Sequence, residues 1–122
     1  MATVLANTGK AIVTNRLKGS GTEPNYVAWG TGAGTAAATD TTLFTESAET
    51  RVAGASTQVT TTTSNDTYQV VGLLTASATR AITNAGLFDA VSAGNLFVKG
   101  DFSVINLASG DSIQFTIKAQ FS

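Results

Sequence analysis

The sequence predicts a mainly β protein: an antiparallel β-sandwich or jelly-roll-like domain with a short N-terminal helix. Three observations carry this. Ile113, Phe115, Ile117, Ala119 and Phe121 alternate with Gln114, Thr116, Lys118 and Gln120, the period-two pattern of a strand with one buried and one wet face. Turn signals recur about every ten residues in the C-terminal half, as in sandwiches and jelly rolls. Threonine is frequent and aromatic residues make up only 7% of the chain, so strands and turns are favoured over an aromatic or helical core.

The elements follow in order. A short apolar start at Val4 and Leu5 leads into NTGKAIVTNRLKG, where Asn7 or Thr8 can cap a helix. Ile12, Val13, Arg16 and Leu17 recur at helical spacing, and Gly19 sits where a C-terminal glycine belongs. A helix is expected over about residues 8–18. GSGTEPN is a loop holding the only proline, Pro24. NYVAW is a strand, and a glycine-rich loop follows it. Thr39 or Asp40 is placed to cap a turn or two of helix carrying Leu43, Phe44 and Ser47. Residues 51–54 are expected to be extended. STQVTTTT alternates weakly and SND is a turn. TYQVVGLLTA is a strand whose Gly72 implies a bulge or a close approach. ITNAGLFDA, with Gly86, is the next strand. VSAGN turns, NLFVKGDFSV returns, ASGD turns, and SIQFTIKAQFS closes the sheet.

Composition bounds the function. A chain of 122 residues fits one domain, spanning 1–122. The hydrophobic fraction is 43% and the charged fraction 12%, the latter about half the usual share. The formal net charge is −1, and the seven Lys and Arg are scattered singly from Lys10 to Lys118. Nucleic-acid binding and membrane-surface binding both want clustered cations, so neither is expected. No apolar run approaches the roughly 20 residues of a membrane span. The start MATVLANTGK lacks a charged head followed by an apolar run, so no signal peptide is expected and synthesis in a cytoplasm is. Cysteine and histidine are absent, which excludes disulfides, thiolate or imidazole zinc sites, and His-based acid–base catalysis.

The glycine loop, WGTGAGT, deserves a test as a phosphate cradle. Gly30, Gly32 and Gly34 give G-x-G-x-G, whereas the dinucleotide fingerprint needs G-x-G-x-x-G opening a long helix. The only Gly-Lys pair, Gly9-Lys10, is followed by Ala11 and has Val4 where a Walker A loop needs its first glycine. The structural reading is a bend in which glycines take φ > 0. Gly30, Thr31, Gly32, Ala33 and Gly34 are then candidates for an inter-subunit contact loop. Asp89 and Asp101 lie on neighbouring predicted strands, and Glu46 and Glu49 are close in sequence. Paired acids can cleave glycosides when their surroundings shift a pKa, but strand-end acids are far more often solvated. Asp111 is a turn residue. No G-x-S-x-G elbow exists, and SND is too sparse for calcium. Neither catalytic residues, a metal, a cofactor nor a small-molecule substrate is expected. Trp29, the only tryptophan, is an anchor for a partner or sugar, or, more often at a strand end, a core plug. Sparse charge over a Thr-, Ser-, Gly- and Ala-rich surface points to burial against other subunits.

The phrases YVAWGTG, TDTTLFTE leading to Arg51, ITNAGLFDA, NLFVKGDF and LASGDSIQFTIKAQFS, in that order, resemble small structural proteins of tailed-bacteriophage virions. The resemblance runs from about Tyr26 to Ser122. It departs at Asn84, where such sequences frequently carry an acid. It implies a non-enzymatic β-sandwich or jelly-roll-like protein, either a capsid decoration (cement) subunit or a tail or tail-fibre component. Shortness favours cement. The expectations are then a homotrimer on the outer surface of the capsid, made in the host cytoplasm, that clamps the major capsid protein. A tail-associated structural protein is the alternative, and a carbohydrate-binding sandwich using Trp29 and Tyr26 is a third.

Overall fold

The computed structural model describes residues 2–121; Ser122, the end of the predicted last strand, lies outside them. The chain is mainly β, with one short helix and two antiparallel sheets. Strand β1 (Thr3–Leu5) precedes helix α1 (Asn7–Leu17). Strands β2 (Tyr26–Gly30), β3 (Val52–Ala53), β4 (Ala55–Val59), β5 (Thr67–Thr75), β6 (Arg80–Phe88), β7 (Leu96–Leu107) and β8 (Ser112–Gln120) follow. One sheet has five strands in the order β1-β7-β6-β2-β3, the other three in the order β4-β5-β8. Their facing sides share a core of Val27, Trp29, Val70, Leu74, Ile82, Leu87 and Val98.

The strands form where the sequence places them, because their apolar residues fall on the facing sides. β5 and β8 pair without a break from Thr67↔Gln120 to Thr75↔Ser112. Gly72 lies inside this regular ladder; the bulge alternative does not apply, and the close approach does. A Cβ there would stand 2.6 Å from Val27 Cγ2, so only glycine lets β5 press onto β2. The bulges occur instead between β6 and β7, at Ile82/Asn84 and Leu87/Phe88. On one flank the sandwich is closed, since a single residue, Gly54, separates β3 in the first sheet from β4 in the second.

Helix α1 departs from expectation in two details. It starts at Asn7, with extended Ala6 before it and no side-chain cap. The Thr8 hydroxyl instead donates to the Leu96 carbonyl at 2.6 Å, so a tertiary bond has taken the capping group. Gly9 and Ile12 are the buried positions, while Leu17 is 81% exposed. The helix docks on β7 by a narrow face, and its second apolar turn overhangs solvent. Gly19, at φ +89°, follows the helix end as expected.

The predicted helix over residues 39–47 is absent; the segment is a run of turns. Tertiary bonds explain this. The Asp40 carboxylate and Thr42 carbonyl are both held by Lys99, and the Phe44 backbone is held by Asn84. The Thr42 carbonyl and the Phe44 N–H and C=O are thus committed to tertiary partners in place of i→i+4 bonds.

Candidate assembly surface

Residues 31–51 form a cover over the outer side of the five-stranded sheet. They are pinned along their length. Gly30 bridges to Glu46, Thr31 N–H donates to the Thr45 carbonyl at 3.0 Å, and Gly32 N–H to the Phe44 carbonyl at 2.9 Å. The glycine loop is thus one side of a tight pairing with residues 44–46. Cβ atoms at Gly30 and Gly32 would stand 2.5 Å from the Phe44 carbonyl oxygen and 2.6 Å from Thr45 Oγ1. Close approach, not positive φ, is why these two positions are glycine; neither has φ > 0. Gly30 is buried, Thr31 and Gly32 are half-buried, and Ala33 and Gly34 are exposed.

Below the cover, the charges that could have served chemistry are bound up in the fold. Lys99 is 2% exposed. Its Nζ donates to Asp40 Oδ2 at 3.0 Å and the Thr42 carbonyl at 2.9 Å, and lies 3.3 Å from the centre of the Phe44 ring. Asp40 is held below the ordinary carboxylate range by the Ala37 N–H and then by Lys99. Arg51 grips both Glu46 oxygens, at 2.8 and 2.9 Å, donates to the Ala90 and Ala93 carbonyls, and stacks 3.6 Å over the Phe88 ring.

Glu49 is the hub of a third cluster. It accepts from Trp29 Nε1 at 3.0 Å, from the Ser47 hydroxyl, from Ser77 N–H and Oγ, and from Arg80 Nε at 2.9 Å. Burial pushes its carboxyl up, but the bonds from Ser47, Ser77 and Arg80 outweigh burial and hold it far below the carboxylate range. A carboxylate so stabilised cannot act as a general acid near neutrality. Asp89 and Asp101 also have separate structural partners: Asp89 accepts from Asn95, and Asp101 from the Ala36 N–H at 2.7 Å. Asp101 lies within β7 and not at a strand end. Trp29 is 1% exposed: it is the core plug, and it offers no face to a sugar. Sequence reasoning did not find Lys99 and Arg51 as buried cations, because each is a lone charge whose partners lie far away in sequence or in a loop.

What the fold leaves open is the flank opposite Gly54. Trp29 of β2 and Phe102 of β7 both bring their rings to 6.2 Å from the Phe115 ring of β8. β8 therefore lies over the middle of the five-stranded sheet, and β1 reaches out beyond it. The space between is a groove of about 450 Å³, lined on one side by Leu5, Val98 and Phe102 and on the other by Phe115, Ile117 and Ala119. The predicted alternation of the last strand is real, but its inner face is half-buried rather than buried, and Phe121 is 44% exposed. The reason is this missing neighbour: among the described residues, β8 pairs with β5 alone. Phe121 also lines a second hollow beside the helix, with Val13, Leu17 and Tyr68.

The free edge of β8 has a definite phase. Phe121 N–H donates to the Asp66 carbonyl and Ala76 N–H to the Asp111 carbonyl, at 2.9 and 2.8 Å, just beyond either end of the β5–β8 ladder. In an antiparallel ladder bonded pairs alternate, so Ile113, Phe115, Ile117 and Ala119 bond to β5. The N–H and C=O groups of Gln114, Thr116 and Lys118 point away from it.

A family model described as Gp80, podophage GP4 fiber I protein gp80, matches residues 5–120. Neither curated proteins nor solved structures give a match. The match takes in every strand from β2 to β8, the cover over residues 31–51 and the open flank, and it accords with the phage virion resemblance of the motifs. The chain belongs to the podophage GP4 fiber I protein gp80 family and is a phage virion structural protein.

Proposed function

We propose that the chain is a non-enzymatic building unit of a podophage fibre, carried on the tail apparatus. One observation carries this reading: the family match, whose description names a fiber protein and which spans residues 5–120. It favours the tail-fibre alternative over the cement reading, in which the chain would sit on the capsid surface and clamp the major capsid protein. The chemistry of the interior supports a structural role. Arg51, Arg80 and Lys99 are all spent on internal ion pairs, which leaves a surface even poorer in charge than the composition implies. Such a surface suits burial against other subunits, so homo-oligomerisation, as a trimer, belongs to the same proposal.

The test is electron microscopy of purified virions labelled with gold-conjugated antibody to this chain. Label on the fibres is expected. Label over the head shell overturns the fibre reading and restores the cement one. Sedimentation of the purified chain tests the oligomer separately, and a strict monomer at high concentration removes that part.

A further inference from the structure

We propose that the open flank is a strand-acceptor site: a single extended segment of another polypeptide adds to the free edge of β8 and covers the groove. The argument starts from the unequal sheets. Five strands face three, and the shortfall falls on one side, where, among the described residues, β1 has no strand above it and β7 is covered only in part, by Phe115 against Phe102. The groove floor there is apolar, with Leu5, Val98 and Phe102. Its wall is a nine-residue strand with no proline and no bulge. Edge strands of this kind are templates for strand addition unless charges, bulges or prolines blunt them. β8 carries one charge, Lys118, which has no ion pair among the described residues.

The occupant is a lone strand and not a second whole copy. If another copy paired its β8 here with both apolar faces on the same side, its own five-stranded sheet would need the space already filled by β1 and β7. An extended arm carries no such second layer. Its chemistry follows from the wall. Residues facing the groove are apolar and alternate with polar ones, and an acid stands opposite Lys118, since unlike charges on directly opposed residues stabilise a strand pair. Main-chain bonds form with Gln114, Thr116 and Lys118, whose N–H and C=O groups point to the free edge. The proposal rests on the structural reading only for the source of the arm, a neighbouring virion chain. The site itself is tested without virions, so its failure leaves the fibre reading standing.

The experiment is amide hydrogen exchange of the full chain with the capped peptide SIEFTIQAQ, whose glutamate meets Lys118 when the peptide pairs antiparallel about Thr116. The expected result is exchange slowed at least about tenfold at Gln114, Thr116 and Lys118, with Ile113, Phe115 and Ile117 unchanged because they already bond to β5. The peptide SIKFTIQAQ, with lysine in that place, binds more weakly. Thr116→Pro removes one free-edge N–H without touching the β5 ladder, so it keeps its melting temperature and loses the protection. No slowing at millimolar SIEFTIQAQ overturns the proposal, whatever the variant does. So does a folded Thr116→Pro chain that still binds, or a peptide-free chain that dimerises with these amides already protected.

Discussion

The side-chain amide of Asn84 stands in for a strand opposite Phe44: its Oδ1 accepts from the Phe44 N–H at 3.0 Å, and its Nδ2 donates to the Phe44 carbonyl at 3.1 Å. Asn84 is fully buried, so both bonds are made away from water. An acid at this position could satisfy the N–H but not the carbonyl, and it would add a buried charge. Asn84→Leu should lower stability by about 1–3 kcal/mol, the cost of leaving buried backbone groups unpaired. Asn84→Asp should be at least as damaging at neutral pH and should recover in part as pH falls. Urea melts at two pH values check both.

Lys99 holds the cover from the opposite side. Lys99→Met keeps the aliphatic stem and removes the donor to Asp40 and Thr42. The expected loss is about 1–3 kcal/mol, less than for a fully enclosed pair because Asp40 still reaches solvent. Proteolysis should then cut within residues 31–51 before the rest of the chain unfolds. Cleavage elsewhere first would contradict the pinning role.

Stability should depend on pH in one direction. Glu49 and Asp40 have folded pKa values below their ordinary ones. In the acid range the unfolded chain therefore binds more protons than the folded one, and stability rises with pH. The contribution is fully present above the ordinary carboxylate range of about 4 and is lost as pH falls below it. A melting temperature flat from neutrality to about pH 5, then falling, is expected, with a shallower fall in Glu49→Gln. A melting temperature that rises on acidification would contradict the assignment.

β8 offers a contrast between its two faces. Phe115 meets the rings of Trp29 and Phe102 across the core. Its half-burial puts Phe115→Ala at about 2–3 kcal/mol, under the usual range for an enclosed phenylalanine. Gln114 faces solvent, and Gln114→Ala should change stability by less than about 0.5 kcal/mol. Paired chemical denaturation curves decide it.

The strands were legible because their signals are local. The alternation around Phe115 can be read from a few neighbouring residues, whereas Gly72 signals either a bulge or a close approach until Val27, far away in sequence, decides for the approach. The cover over residues 31–51 was not legible. Asp40 looks like a helix cap, and only Lys99, far along the chain, makes it an ion-pair partner instead. Thr8 likewise looks like a cap until Leu96 is beside it. The glycine loop reads as a bend in sequence, yet the reason for Gly30 and Gly32 is the Phe44–Thr45 segment lying against them. Leu17 and Phe121 kept the apolar rhythm of their elements but sit past the end of the core, which periodicity alone cannot reveal.

The register of β1 has a consequence for how the chain folds. Thr3 pairs with Gly100 and Leu5 with Val98, and the Ala6 N–H donates to the Phe97 carbonyl at 3.0 Å. β1 therefore waits for a partner strand, β7, that lies far along the sequence. Closing so long a loop costs entropy before any contact repays it, and contacts this distant in sequence slow folding. Until β7 emerges, β1 and the docking face of α1 have nothing to bind. Until that pairing forms, the apolar faces of β1 and α1 stay open to other chains, and their docking onto β7 is a late step of folding.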